Sequence, residues 1–394
     1  MDTLPAPLLP ALRILRAFVG WMLCLVICAG LLSWIRRDPF DNEVFNLYAG
    51  GKVGAQRLYH PEDFRGVAAS LGVKVEEARL YYCRMPYFEV FTKPLSWLPY
   101  PVAVTTWRFV QVLSIVAAVI LWPGWKPTMV KVTLLSMPAA AVIGLGQDVG
   151  LVFLFIAASV ALAGRGRWFL AGVVFSLCLS KPHLVIFVPV VMLATRNFRF
   201  LAGATAGASA QLLLSFAVAP WSWPQQWLAT LANPRMHVAP ARMPGLRALA
   251  ETGRPGTALA ILVAAALVVA IWRLAPRRRI EEIIAYALAA GMIANLHSYA
   301  VDCIMLIPVV TLAVRSRRTV ERSLGIFLAT PVPYFILIFG FPVVLQAGIL
   351  ALVGLAFAPA VPMPRHAATS CEAMDAASEP VRAGGWTAAL NSGT

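Results

Sequence analysis

The chain alternates between long apolar runs and short polar turns. A helix that crosses a bilayer needs roughly 20 apolar residues, within a range of about 17 to 25. The runs that come near this length predict membrane-spanning helices. They cover residues 14–35, 99–122, 130–145, 149–163, 169–180, 184–194, 201–219, 257–272, 283–296, 299–314, 324–339 and 343–361.

Two of the shorter runs, 169–180 and 184–194, flank the tripeptide at 181–183, which reads Lys-Pro-His. Proline removes a backbone donor, so this point predicts either two short helices or one broken pair. The total is about 10 to 12 transmembrane helices, given the length that a bilayer requires. The run at 14–35 is too long for the core of a signal peptide, and we expect it to be an uncleaved first helix.

The turns between the runs differ in charge. If the N-terminus lies in the cytoplasm, every short turn on that side is basic. The residues concerned are Lys126, Lys131, Arg165, Arg167, Arg196, Arg199, Arg273, Arg277, Arg278, Arg279, Arg315, Arg317, Arg318 and Arg322. The opposite short turns, at 146–148, 181–183 and 297–299, are nearly uncharged or mixed. Lysine and arginine mark the cytoplasmic side of membrane proteins, so the second set of turns is expected outside the cytoplasm.

Composition agrees with a membrane protein. Hydrophobic residues make up 60% of the chain and charged residues 13%, and the mean hydropathy is +0.75. A soluble domain carries nearer a quarter charged residues. The net charge of +15 is explained by basic turns that face anionic lipid, because no basic run with interleaved aromatics suggests a nucleic-acid partner. The six cysteines form no close pair in a loop, which argues against a disulfide framework or a zinc site.

These features predict an all-α polytopic protein of the inner (plasma) membrane. Residues 1–362 form the multi-span domain. Its first extracytoplasmic loop, 36–98, is expected to carry short interfacial helices, and its second large loop is 220–255. Residues 363–394 are rich in Ala, Ser and Gly, so we expect a disordered cytoplasmic tail.

Acidic residues are concentrated in the first loop. The segment 36–64 contains five of the 18 acidic residues of the chain: Asp38, Asp41, Glu43, Glu62 and Asp63. They could simply solvate the loop or pair with Arg36 and Arg37. They could also belong to a catalytic loop at the membrane surface, where a carboxylate takes the proton from an acceptor hydroxyl. A helix is expected from Glu43, ended by a turn at Gly50 and Gly51.

Three short polar motifs lie on the same predicted side, and each has two interpretations. Gln147 and Asp148 could bind sugar hydroxyls, or Asp148 could cap the next helix. Lys181 lies at a depth where an ammonium is costly unless it is paired or hydrated, so it could bind a phosphate or be an interfacial lysine. His297 could assist a leaving phosphate, while Asp302 inside the next helix needs a partner. A capping and buried hydrogen-bond network is the other explanation.

Two aromatic segments remain ambiguous. Residues 81–107 and the loop 220–255 contain many tyrosines and tryptophans, which occur at membrane interfaces and also stack on sugars. Arg84 and Lys93 in the first segment could contact a lipid phosphate or extend to the interface.

In this order the motifs resemble glycosyltransferase family 87, the polyprenyl-phosphate-mannose-dependent mannosyltransferases of the GT-C membrane fold. The first-loop pattern of that family resembles residues 43–52 followed by Leu58-Tyr59-His60-Pro61. Its later motifs resemble residues 85–99, 146–148, 171–172, 181–183, 243–247 and 297–302. The family's catalytic acid is usually aspartate. The alignment places Glu43 at that position, and Asp41 is the other candidate.

The resemblance implies transfer of a sugar, with mannose as the expected one, from a polyprenyl phosphate to an acceptor hydroxyl with inversion. Glu43 or Asp41 would be the general base. The residues that would bind the donor phosphate or the substrates are Lys181, His183, His297, Tyr299, Arg247, Gln147, Asp148, Asn46, Tyr48 and Tyr59. The expected partners are the lipid-linked donor, membrane lipids and a glycan or glycolipid acceptor. No metal ligands or cofactor are expected.

Two other functions remain open. A lipid or solute transporter would carry polar residues through its spans, which are poor in charge here, and no internal repeat is visible. A non-catalytic membrane scaffold would tolerate neutral substitutions of Glu43 and Lys181 together.

Overall fold

The fold is seen in a computed structural model that describes residues 43–124, 126–236 and 239–357. The predicted first helix at 14–35, the candidate base Asp41 and the tail 363–394 lie outside these residues. The described chain consists of α-helices, short 3₁₀-helices and turns, without a strand. It is therefore an all-α protein, as the sequence predicted.

The first loop contains three short helices: α1 (Glu43–Val53), α2 (Pro61–Leu71) and α3 (Pro86–Thr92). The last two begin with proline, which fits the first helical position because the missing N–H has no helical partner there. A left-handed Gly72 ends α2.

The first helix differs from the prediction at its glycines. The helix α1 continues through Gly50 and Gly51, and the left-handed turn comes at Gly54, whose φ is 82°. A Cβ on Gly50 would lie 2.9 Å from the ring of Tyr82, and one on Gly51 would lie 2.9 Å from Ser96. The glycine pair therefore allows close packing of α1 rather than a turn.

The remaining helices follow in chain order. They are α4 (Tyr100–Leu121), α5 (Lys126–Leu135), α6 (Met137–Leu145), α7 (Val149–Gly164), α8 (Trp168–Ser176), α9 (Phe187–Ala194), α10 (Phe198–Val218), α11 (Trp223–Leu231), α12 (Arg247–Ala250), α13 (Arg254–Leu274), α14 (Ile280–Ala294), α15 (Ile307–Val314), α16 (Thr319–Ala329), α17 (Val332–Ile338) and α18 (Val343–Leu355).

Within the described residues, three helices are long and apolar enough to cross a membrane: α4, α10 and α13. Two further pairs, α5 with α6 and α16 with α17, reach that length together but bend by 63° and 56°. These helices make the chain a multi-pass membrane protein, whereas the total of about 10 to 12 crossings stays a prediction.

The predicted break at Lys181-Pro182-His183 is confirmed. After α8 the chain forms 3₁₀-helices at Leu177–Ser180 and Pro182–Leu184, and α9 begins only at Phe187. The two short helices are therefore separated by irregular backbone at a polar position. Such backbone is tolerated at membrane depth where it is buried in protein or lines a cavity.

Apolar side chains pack into two clusters. One joins the first loop to the beginning of α4, with Phe45, Tyr82 and Trp107 among its members. The other fills the helix bundle and includes Phe153, Leu184 and Ile304. The first loop is thus a packed structure with its own core and not a solvated connection.

Candidate active site

Four charged side chains meet in the interior. Arg84 Nε lies 2.5 Å from Asp148 Oδ2, and Lys181 Nζ lies 3.3 Å from Asp148 Oδ1. Lys181 Nζ also lies 3.2 Å from Asp302 Oδ1. The exposed fraction of these side chains is 2% for Arg84, 11% for Lys181 and 0% for both aspartates. We call Arg84, Asp148, Lys181 and Asp302 the charge cluster.

The charge cluster is electrically balanced, with two cations alternating with two carboxylates. Burial on its own would raise the pKa of Asp148, but Arg84 and Lys181 outweigh it and hold that pKa well below its usual range. Burial likewise opposes the charge of Arg84, and Asp148 reverses this and raises its pKa. Asp148 and Arg84 therefore stay ionised near neutral pH, because each has an opposite charge in contact.

Neutral groups from the first loop hold Arg84 in place. Asn46 Oδ1 on α1 accepts a hydrogen bond of 3.2 Å from Arg84 Nη1. The amide nitrogen of Asn46 donates to the carbonyls of Arg79 and Tyr81, at 3.1 and 2.8 Å. Tyr59 donates its hydroxyl to the Arg84 carbonyl at 2.8 Å. These bonds hold the backbone and the guanidinium of Arg84 in the position from which it contacts Asp148.

The turn at 146–148 fits closely against α1. Gly146 is left-handed, with φ of 66°, and a Cβ there would lie 2.3 Å from Val44. Trp107 on α4 donates to the Gly146 carbonyl at 2.8 Å, and Gln147 accepts a hydrogen bond of 3.1 Å from Lys181 Nζ. Asp148 occupies the N-cap position of α7, but its side chain makes no capping bond there. Its carboxylate serves the ion pairs instead.

Asp302 joins two of the predicted motifs. Its Oδ1 atom pairs with Lys181, and its Oδ2 atom accepts a 2.8 Å bond from the Tyr299 backbone N–H. Capping and ion pairing therefore occur together at this aspartate. The contact ties the segment 297–302 to the break after α8.

Three half-buried rings lie beside the charge cluster. The His183 and His297 ring centroids are 5.8 Å apart, and those of His297 and Tyr299 are 5.1 Å apart, both edge to face. Burial lowers the pKa of His183 to about 4, so its imidazole is neutral at pH 7. We call these residues the ring group; it presents neutral donors and acceptors.

The candidate base Glu43 lies in the first turn of α1, three residues before Asn46. Its carboxylate forms an ion pair with Arg79. The carbonyl of Arg79 accepts a bond from Asn46, and the charge of Arg79 also acts on Tyr299. Glu43 is therefore linked to the same assembly through neighbouring groups.

The profile of glycosyltransferase family 87 matches residues 85–298, just over half of the 394 residues. The chain belongs to glycosyltransferase family 87. Neither a curated protein nor a solved structure gives a significant match. Membership indicates a membrane glycosyltransferase, which moves a sugar from a donor to an acceptor. Within the matched residues lie Gln147, Asp148, Lys181, His183 and His297, while Glu43 precedes them.

Most of the residues predicted for the glycosyltransferase site come together. Asn46, Tyr59, Gln147, Asp148, Lys181, His183, His297 and Tyr299 belong to the charge cluster, its hydrogen-bond partners or the ring group.

Two predicted site residues show no described contact with that assembly. Tyr48 donates to the Leu98 carbonyl at 3.2 Å and packs in the first-loop core. Arg247 forms a 2.8 Å pair with Glu251 at the surface of α12. The turn before Arg247 nevertheless packs on the site's flank, since a Cβ on Gly245 would lie 1.8 Å from the Asn295 carbonyl.

Sequence reasoning underrated two arginines. Arg84 was placed at an interface or against a lipid phosphate, and it is instead a fully buried member of the charge cluster. Arg79 was not singled out. The available signal was that Arg84 is the one arginine among the tyrosines and prolines of residues 81–107. An arginine that is buried in such a segment needs a carboxylate partner.

The aromatic segments divide between core and surface. Tyr82, Tyr87 and Trp107 are at most 5% exposed, whereas Trp97 is 74% exposed. Only part of residues 81–107 can therefore form an aromatic belt at the interface. Among the described residues, no group of three or more His, Cys, Asp or Glu side chains is placed to hold a metal ion.

Proposed function

We propose that this glycosyltransferase takes a sugar, with mannose as the first choice, from a polyprenyl-phosphate donor and transfers it to an acceptor hydroxyl on the extracytoplasmic face. The observation that carries the proposal is the convergence of four separate polar motifs on one assembly. These motifs are the first loop, the turn at 146–148, the break at 181–183 and the segment 297–302. If these motifs only anchored their helices in the membrane, their side chains would not need to contact one another.

The proposed reaction is a single displacement. The carboxylate of Glu43 or Asp41 takes the proton from the acceptor hydroxyl while its oxygen attacks the anomeric carbon. The bond from that carbon to the phosphate oxygen breaks, and the configuration inverts. One carboxylate is enough because a phosphate leaves without being protonated, unlike the two that glycoside hydrolases require.

Arg79 gives Glu43 a fixed orientation in this mechanism. A base must lie within hydrogen-bond reach of the proton it removes, so restricting its rotamers favours the reaction. The acceptor hydroxyl would then bind at the first turn of α1.

The donor phosphate is assigned to the ring group and to Lys181, whose side chain is 11% exposed. His297 and Tyr299 can donate hydrogen bonds to phosphate oxygens, and the ammonium of Lys181 offsets the charge that grows on the leaving group. Because Lys181 already contacts Gln147 and two aspartates, its position is fixed before the donor arrives. Arg247 would supply a further cation from the side of the turn at 243–247.

The test uses membranes that contain the full chain, supplied with radiolabelled polyprenyl-phosphate mannose and an extract of membrane glycolipids. Glu43→Gln and Asp41→Asn are assayed separately, so that the base can be identified. Removal of a general base lowers the rate of transfer by about 10²- to 10⁴-fold. One of the two is expected to show that loss while protein levels stay equal. If both keep the full rate, the first loop does not supply the base.

Glu62→Gln is the matched control, since this acid of the same loop is exposed and pairs with His60. It should leave the rate unchanged. A parallel series with other polyprenyl-phosphate sugars and with nucleotide sugars tests the donor. Transfer from a nucleotide sugar alone would refute the lipid-linked donor and leave the family assignment intact.

A further inference from the structure

A pocket of about 390 Å³ opens on the first loop. Its walls come from the end of α1, the turn after it, α3 and the last residue of α10. One wall is closed by Gln56, whose side chain donates a 2.9 Å bond to the Val218 carbonyl. None of the lining residues belongs to the charge cluster or the ring group. The volume is within the range of about 300–1,000 Å³ that small-molecule sites show.

A buried carboxylate lines this pocket, and one of its oxygens lacks a hydrogen bond. Glu89 is 1% exposed, and its Oε1 atom has no hydrogen-bond partner. The other residues that line the pocket are three valines, Gly54, Ala55, Gln56 and Lys93. Burial raises the pKa of Glu89, and Lys93 counteracts this only in part. A buried carboxylate oxygen without a hydrogen bond costs stability, so a cationic hydrogen-bond donor at this position would be favoured.

Lys93 lies one helical turn further along. Its ammonium is 3.8 Å from Glu89 Oε1, beyond hydrogen-bond distance, and its side chain is 48% exposed. The two residues therefore present a buried negative charge and an outer positive charge. A ligand that carries an ammonium deep in the pocket and an anion at its mouth would match this order. A neutral sugar in the pocket would not offset the negative charge of the Glu89 carboxylate.

Exposed aromatic side chains close to the pocket in sequence indicate lipid contact. Phe91 follows the lining residue Val90 and is 63% exposed, and Trp221, three residues after Val218, is 81% exposed. Trp97 is 74% exposed. Large rings of this kind lie at the level of lipid headgroups. At this depth in the membrane, the headgroups of zwitterionic phospholipids carry an ammonium and a phosphate in one molecule.

We propose that the pocket binds the headgroup of a zwitterionic phospholipid with a primary amine, its ammonium on Glu89 and its phosphate on Lys93. The primary amine is favoured because Glu89 Oε1 needs a hydrogen-bond donor, which a trimethylated ammonium cannot supply. This site is independent of the proposed sugar transfer, since it uses other residues.

The test measures thermal unfolding of the delipidated full chain in detergent, with phosphatidylethanolamine, phosphatidylcholine or phosphatidylglycerol added at equal mole fractions. Phosphatidylethanolamine is expected to raise Tm most, since a ligand that binds only the folded state stabilises it. Glu89→Gln should weaken its apparent affinity by about tenfold, the loss typical of a charge-assisted hydrogen bond. Equal shifts for all three lipids would overturn the proposal.

Glu62→Gln serves as the control and should leave the lipid preference unchanged. Soluble phosphoethanolamine is a further arm: if it shifts Tm as strongly at the same concentration, the site takes the headgroup alone and not a lipid. A second variant, Ala55→Phe, narrows the pocket and leaves Glu89 in place. Loss of the phosphatidylethanolamine preference in that variant supports the site, and retention contradicts it even if Glu89→Gln fails to fold.

Discussion

At the residue scale, the charge cluster restricts structure more than it adds stability. Moving an ion from water into protein costs several kcal/mol, and a well-placed partner does little more than recover that cost. What the pairing gives is a unique arrangement, because any other packing would leave Arg84 or Asp302 alone. The same arrangement holds Lys181 at the edge of the ring group before any donor binds.

Removing one carboxylate should therefore be severe. Asp148→Asn leaves the buried guanidinium of Arg84 without its counter-charge, and we expect a loss of roughly 3–5 kcal/mol in the free energy of unfolding. The control Asp63→Asn breaks a pair with Arg57, whose side chain is 62% exposed. Such exposed pairs contribute about 0–1 kcal/mol. Thermal unfolding in one detergent compares the two, and equal losses would contradict the importance of burial.

A paired apolar replacement separates stability from function. Arg84→Met combined with Asp148→Leu removes both charges and retains volume, so it should regain most of the stability lost in Asp148→Asn. Sugar transfer should stay low, because Lys181 then has Asp302 as its remaining described carboxylate contact. Unfolding and transfer assays on the same preparations measure the two properties. A fully active double variant would show that the charge cluster has no part in positioning Lys181.

At the element scale, glycines set how closely two helices approach. A Cβ on Gly172 of α8 would lie 2.0 Å from the Phe200 carbonyl oxygen, and one on Gly203 of α10 would lie 2.0 Å from that of Phe169. The contact is reciprocal, and its obstacles are backbone atoms that cannot rotate away. Small residues commonly permit this packing between helices in membranes. The pair fixes α8, from which the chain leads to Lys181.

Gly203→Ala should consequently destabilise the protein. Overpacking costs about 1–3 kcal/mol where side chains can adjust, and the backbone contact places this substitution at the upper end or beyond. Gly164→Ala is the matched control, because a Cβ at Gly164 would meet nothing within 4 Å. The comparison again uses thermal unfolding. If the two alanine variants unfold at the same temperature, α8 and α10 are not in tight contact.

The positions of the helices could be predicted from the sequence better than the contacts between the side chains of the site. Apolar runs located helices such as α4 and α10, and the proline at 182 located the break, because both depend on local properties of the chain. The end of α1 was placed wrongly at Gly50, since a glycine that allows a turn and one that allows close packing are identical in sequence. The partner of Lys181 could not be read at all. Asp302 is 121 residues away, and only the folded chain brings the two together.

At the scale of the whole molecule, the first loop and the helix bundle each contain an apolar cluster, and the charge cluster joins side chains from both parts. Arg84 and Asn46 come from the loop side, and Asp148, Lys181 and Asp302 come from the bundle side. The site therefore lies where a packed loop closes over the helices. Which side of the membrane this face occupies rests on the basic turns and stays a prediction.

Cysteine labelling tests that orientation. In a variant without native cysteines, Lys74→Cys in the first loop should react with a membrane-impermeant maleimide on intact cells. Arg167→Cys, in a basic turn, should react only after the membrane is permeabilised. Both positions are exposed, so accessibility to water does not limit either reaction. Labelling of both from outside, or the reverse order, would contradict the predicted orientation.

The link between Lys181 and Asp302 also constrains biosynthesis. Lys181 leaves the ribosome well before Asp302, which lies 121 residues further along the chain. Until Asp302 has been synthesised, the ammonium of Lys181 lacks one of its two carboxylate partners and lies close to lipid. Chains truncated before residue 302 would keep this defect permanently, which marks them for removal by the proteases that survey membranes.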